Sequence, residues 1–409
     1  MHETTPRDRL ARLRALHEAA CLRAPALQAL YGRAGMTPAD MRSAADLARL
    51  AVTPKDKLVD MQRAAPPFGG WLAADPSEIR RVFVSPGPIH EPQLHGDVDG
   101  HGFARVFSDG AVGPGDLVLN TWSYHLVPAG LLLDDAIAAC GATVIPAGTG
   151  GAEAQAQMVI DLGVSCICAS TAYFENLVHV LESKGHVLPA AWRVRTALLG
   201  GELGDWLGKR RRLEARLGIR TLSAYATADF GLIGFEEPGH EGYTIHPDRL
   251  VQICDPVNGQ PLPLGMPGEI VVTTLARGWP LVRFGTGDVA AASAISEDGF
   301  VARIGMLQGR VGQAVKVREI FVYPRQIEDL VLQSATLRRA QAVVSRQGHR
   351  DVIDLHVMLG PSAGTPELEA DLRDRFKQLT RLRFDSLVLL GADAALPDDA
   401  PWLVDHRHG

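Results

Sequence analysis

The chain has 409 residues, more than one hydrophobic core ordinarily serves, so two or more domains are expected. Apolar residues make up 46% and charged residues 22%, and the formal charge of −6 argues against a nucleic-acid or membrane-surface role. Five cysteines without paired ligand spacing give neither a disulfide framework nor a metal clip, and no apolar run reaches the ~18 residues of a membrane span, so a cytoplasmic protein is expected.

From residue 7 to about residue 50 the positions Leu10, Leu13, Leu16, Leu27, Leu30 and Met36 recur at helical spacing. Thr37-Pro38 and Thr53-Pro54 both read as helix starts, a capping hydroxyl followed by a proline. A strand over Val82, Phe83 and Val84 then enters a loop with Ser85, Pro86, Gly87 and Pro88. Residues 117–120 form the next strand, followed by Trp122, Tyr124 and His125 and an apolar helix to Cys140. Strands at 141–146 and 164–169 bracket a helical pattern over 152–162, with Cys166 and Cys168 on one face of the second strand. Another strand ends at Gly200-Gly201-Glu202, and the charged helix from Arg210 to Leu217 reads as a solvated face. Residues 219–223 then deliver Tyr225-Ala226-Thr227-Ala228-Asp229. Strand alternating with helix predicts a parallel sheet covered on both faces.

Past residue 250 the pattern turns to antiparallel β-structure. Residues 251–256 and 267–274 form a hairpin around Asn258-Gly259. Leu281, Val282 and Phe284 lead into Gly285-Thr286-Gly287-Asp288, a strand that breaks at a glycine turn and presents an acid. Gly309-Arg310 precedes a β-rich run from Val315 to Val322 that sets Lys316 and Arg318 on one face. Pro324 starts an amphipathic helix with Ile327, Leu330 and Val331. Strands near 342–344, 352–358 and 387–389 and a helix over 366–379 complete a small α/β unit.

The stretch from Pro280 to Ile327 resembles the ribose-binding acid and domain junction of AMP-forming adenylating enzymes, phenylacetate–CoA ligases in particular. The likeness extends from about Thr53 to Asp405. It implies a large N-terminal α/β domain over residues 1–308, with parallel sheets and a β-rich appendage, and a small mobile α/β lid over 309–409. It implies that Asp288 grips the ribose hydroxyls, that Arg310 contacts the nucleotide, and that Gly201 and Glu202 lie on the adenine side. Tyr225 and Ala226 match the segment that packs on adenine, and Asp229 matches the carboxylate that helps hold Mg²⁺, one methylene shorter than the family's glutamate. Trp122, Tyr124 and His125 match the lining of a pocket for an aromatic acid; core aromatics are the alternative reading.

The phosphate loop of the family matches Ser85 and Gly87, yet Pro86 and Pro88 remove N–H donors and Glu91 stands where a lysine belongs. A plain surface turn is the competing reading. The lysine that the family carries near its end is also missing, because no lysine follows Lys377; Lys316 is the stand-in expected on the lid. Some family members carry a Cys/His zinc site, but the corresponding residues 235–247 contain no cysteine, so no structural zinc is expected. The resemblance thus implies ATP-dependent activation of an aromatic or similar acid through an acyl-adenylate, with Mg²⁺, and transfer to CoA or another acceptor such as a carrier protein. A homodimer is compatible with it, while nucleic acid and membrane partners are not expected. Two alternatives stay open: a non-catalytic homologue that keeps nucleotide or acyl binding, and a biosynthetic enzyme that performs a partial reaction.

Overall fold

The computed structural model describes residues 6–55, 57–85, 88–200, 206–237, 240–318, 320–347, 350–360, 368–391 and 396–407. Five strands form an all-parallel sheet in the order Thr143–Pro146, Leu117–Asn120, Cys166–Ser170, Thr196–Gly200, Arg220–Leu222. Alternation along these strands feeds two separate cores. Ile167, Ala169, Ala197 and Leu199 pack against helices Ala152–Asp161 and Thr171–Ser183 on one face. Cys166, Cys168, Leu198 and Leu222 pack with Phe107, Leu133 and Ile137 on the other. A parallel sheet buried on both faces reads as continuous apolar runs, which is why these strands look alike in sequence.

A nine-stranded sheet carries the second half of the chain. Its path runs Arg249–Cys254, Pro267–Thr274, Phe284–Ile295, Val301–Ile304, Tyr243–Ile245, Gly231–Phe235, Ala224–Thr227. The N-terminal helices Pro6–Ala20 and Pro25–Arg33 bury Leu13, Leu27 and Leu30 against it, beside Trp71 and Phe284. The helix start expected at Thr53 is instead a short strand, Thr53–Pro54, which pairs in parallel with Phe284 and Gly285; the helix begins only at Lys57. Proline tolerates a sheet edge because its missing N–H is not needed there.

Arg283 explains that docking. It is fully buried, and its guanidinium donates to the carbonyls of Ala48, Leu50 and Gly259 while its own carbonyl accepts from Thr53 N–H at 2.8 Å. Arg210, expected on a solvated face, is buried as well. Its Nε donates to Thr221 Oγ1 at 2.9 Å and its two terminal nitrogens reach Glu236 at 2.9 and 2.8 Å.

A fourth core gathers residues between Val315 and Leu403. Here a four-stranded sheet, ordered Ser386–Leu389, Arg350–Leu359, Leu337–Gln347, Leu403–Asp405, packs on helices Pro324–Leu332 and Leu368–Thr380. The β-rich run expected from Val315 to Val322 is split into a hairpin, Val315–Val317 and Ile320–Val322. Arg318 sits at its turn with φ +49° and donates to the backbone carbonyl of Asp351, so it does not share a strand face with residue 316.

Candidate active site

The turn Gly285-Thr286-Gly287-Asp288 lies within the strand Phe284–Ile295. Thr286 Oγ1 donates to the carbonyl of Ile270 at 3.0 Å and accepts from Asp288 N–H at 3.1 Å, which fixes the acid relative to the neighbouring strand. Gly287 suits its left-handed backbone, and Gly285 leaves room for a neighbouring carboxylate. A Cβ at position 285 would collide with the Glu269 carboxylate, and Gly287 has φ +75° with Arg310 Nη2 2.9 Å from where its Cβ would stand. The short strand Gly309–Arg310 pairs antiparallel with this segment, setting Arg310 opposite Asp288.

Asp288 receives the Tyr225 hydroxyl at 3.0 Å on Oδ2, and Arg310 Nη1 lies 3.2 Å from Oδ1. Three strands separate those of Tyr225 and Asp288 along the sheet path, so the sheet must curl to bring them together. Burial raises the Asp288 carboxyl above its ordinary value, partly offset by Arg310, the Tyr225 hydrogen bond and Lys55. Burial and the charge of Asp288 likewise push the Tyr225 phenol well up. It is therefore a neutral donor at physiological pH.

On the opposite side stands a second cluster. Asp229, with a side chain 2% exposed, is met by Lys55 Nζ at 2.6 Å from Oδ2. That contact is close in distance but poorly aligned as a hydrogen bond, and the other partner of Asp229 is the neighbouring Glu91 carboxyl, which can share its proton with it. Glu91 lies beside Asp229, 3% exposed, and accepts from Ser85 Oγ at 2.6 Å while its Oε2 has no hydrogen-bond partner. Burial first, and then the charge of Asp229, push the Glu91 carboxyl up to about 8. Glu91 lies on the second strand of an antiparallel hairpin, Ile79–Ser85 with Ile89–Leu94, opposite Phe83.

Between these clusters and the parallel sheet lies a cavity of about 320 Å³, lined by Ser85, Phe103, Trp122, Leu132, Leu198 and Ala226 among others. The strand Ala224–Thr227 divides the two spaces. Ala224 and Ala226 line the cavity, joined at the strand's end by Thr227 and Ala228, while Tyr225 between the two alanines points to Asp288. Gly200 makes room for the Trp122 indole, whose Cζ2 would lie 2.8 Å from a Cβ there.

The remaining expected site residues lie elsewhere. Tyr124 accepts from Asn120 Nδ2 at 2.9 Å and donates to Asp134 at 3.0 Å, and it does not line the cavity. His125 is exposed and does not line it either. Ala226, matched to the nucleotide segment, faces the apolar cavity. Gly87, Gly201 and Glu202 lie outside the described residues, and so does the side chain of Lys316, whose backbone belongs to the strand Val315–Val317. Lys55 was not singled out from the sequence, although it is one of only six lysines and sits directly after the Thr53-Pro54 pair.

No family model matches the chain. The phenylacetate–coenzyme A ligase of Thermus thermophilus is 30% identical over 380 residues, which span 87% of this chain and 82% of that enzyme. The enzyme of the same name from Escherichia coli is 28% identical over 389 residues, spanning 89% and 86%. Among solved structures, 2-hydroxyisobutyryl-CoA ligase in an open conformation, in complex with 2-HIB-AMP and CoA, matches with a TM-score of 0.81 at 23% identity, over 97% of this chain and 90% of that one. That likeness extends through both sheets and the C-terminal unit.

Proposed function

The chain belongs to the phenylacetate–coenzyme A ligase family, and from that premise we propose that it activates an aromatic or similar carboxylic acid with ATP and transfers the acyl group to CoA. A carboxylate oxygen attacks the α-phosphorus, the bond to pyrophosphate breaks, and an acyl-adenylate forms. The CoA thiol then attacks the acyl carbon, loses its proton, and releases AMP. The observation that carries this reading is the partition made by Ala224–Thr227: an apolar cavity on one side and a hydroxyl-bridged acid, Asp288, on the other. An adenylate needs that adjacency, because its two halves are apolar acyl and polar nucleoside. The cavity volume of about 320 Å³ suits a small ring or branched acid.

In this reading Asp288 accepts from the ribose hydroxyls and Arg310 steadies it, while Tyr225 offers its ring to the base. A carboxylate accepting two O–H groups suits a vicinal diol. Trp122 would face the acid. Mg²⁺ fits the donor chemistry of Asp229, a buried carboxylate that already draws a cation, the Lys55 ammonium. Among the described residues no cluster of three or more ligating side chains exists, so phosphate oxygens would have to complete the shell of such an ion. When bound it would offset phosphate charge. Residues beyond about 309 would act as the moving lid, with Gly312 free to bend.

A second reading has its own support. Glu91 stands where a cation would face the phosphates, and no lysine follows Lys377, features that suit a slow or binding-only homologue. ATP–pyrophosphate exchange with a panel of aryl and branched acids separates the two. Acid-dependent exchange is the expected result; no exchange with any acid, in a protein that still binds nucleotide, would favour the binding-only reading.

A further inference from the structure

We propose that Lys55, contributed by the N-terminal segment, is the cation that neutralises the nucleotide phosphates in this protein. The inference rests on the adenylating reading above and adds a residue to it. Its basis is position. Lys55 Nζ touches Asp229 at 2.6 Å, and its charge is also felt by Asp288. In that reading these are the metal-side and ribose-side acids, so a cation near both stands where the phosphates would pass. Lys55 lines an open cleft together with Thr286, Gly287 and Arg310, and a quarter of its side chain is exposed.

Two features argue against a merely structural ion pair. A buried pair that serves only the fold needs well-aligned hydrogen bonds to offset desolvation, and the Lys55–Asp229 contact is not aligned as one. Its backbone, by contrast, is rigidly held. Lys55 N–H donates to the Gly285 carbonyl at 3.1 Å, and the Thr53–Pro54 strand before it is paired with Phe284 and Gly285. A fixed backbone with a loosely matched ammonium is what a residue needs if its side chain exchanges one anion for another. On nucleotide binding the ammonium turns from Asp229 to phosphate oxygen, and no bond to a heavy atom is made or broken.

The alternatives for this role are weaker. Arg310 is already engaged by Asp288, and Arg63 on the cleft rim is largely exposed and lies near Asp60.

Calorimetry with adenosine and with ATP, both in EDTA so that no metal contributes, tests the proposal in the parent, Lys55→Met, Lys55→Arg and the double variant Lys55→Met/Asp229→Asn. The double variant removes both charges and guards against unfolding caused by an orphaned Asp229; thermal unfolding checks each protein. The parent should bind ATP more tightly than adenosine. Lys55→Met and the double variant should keep adenosine affinity and lose ATP affinity by about ten- to a hundredfold, the worth of one charge-assisted contact. Lys55→Arg should recover part of the loss. An unchanged ATP-to-adenosine ratio in a folded Lys55→Met or double variant would overturn the role of Lys55 and leave the adenylating reading standing. A parent that binds neither ligand would overturn both.

Discussion

Asp288 concentrates the polar energy of the site, because Tyr225 and Arg310 both spend hydrogen-bonding capacity on it. Asp288→Ala should weaken AMP or ATP binding by about 1.5–3 kcal/mol, the usual worth of hydrogen bonds to a charged group, as read by calorimetry. Glu91 offers a test of a different kind. Its carboxyl lies near 8 in the folded protein against 4.5 as a free side chain. Between those values the folded state holds a proton that the unfolded chain has released. The stabilisation is therefore complete below pH 4.5 and is lost progressively as pH rises to about 8. Glu91→Gln retains an acceptor for Ser85 Oγ and cannot ionise, so its stability should not show that decline. Urea unfolding at pH 5 and pH 8.5 should give similar values for the two proteins at the lower pH. At the higher pH the variant should gain on the order of a few kcal/mol. Equal slopes would mean that Glu91 titrates normally.

At the scale of elements, the strand Ala224–Thr227 separates two functions by alternation, so neighbouring positions should respond differently. Ala226→Leu should fill part of the apolar cavity and raise the KM for the acid about tenfold or more, while leaving AMP affinity nearly unchanged. Tyr225→Phe removes the hydroxyl that meets Asp288 and should do the reverse, weakening AMP by about 1 kcal/mol with little effect on the acid. Steady-state kinetics with calorimetry on both variants checks the division. This element also shows what the sequence could tell. Gly285–Asp288 and Tyr225 were legible because each is a local pattern of turn residues and a strand end. Their meeting was not, since it depends on the curl of a sheet whose path runs out of chain order. Lys55 was hidden for a related reason: Thr53-Pro54 has the chemistry of a helix cap, and only pairing with Phe284 turns it into a strand edge. Arg210 escaped notice because a run of basic residues looks solvated until Glu236, just past the strand Gly231–Phe235, reaches it. Tyr124 matched an aromatic position by spacing, but Asp134 and Asn120 hold its hydroxyl away from the cavity.

The whole molecule joins four cores, and the proposed chemistry sits where the two larger sheets meet. No helix among the described residues is long and apolar enough to cross a membrane. What distinguishes this chain is the imbalance between a well-formed Tyr225–Asp288–Arg310 side and a phosphate side with Glu91 and without a late lysine. If Lys55 compensates, adenylation proceeds at a measurable rate; if nothing does, the loss of such an electrostatic contact costs about 10²–10³ in rate. The most direct test is a single-turnover reaction of stoichiometric protein with ATP, Mg²⁺ and the best acid from the exchange panel, quenched and resolved for acyl-AMP, then chased with CoA. The account expects acyl-AMP to accumulate and to convert to acyl-CoA and AMP on addition of the thiol. Nucleotide binding without any acyl-AMP, for every acid that fits a cavity of about 320 Å³, would contradict it.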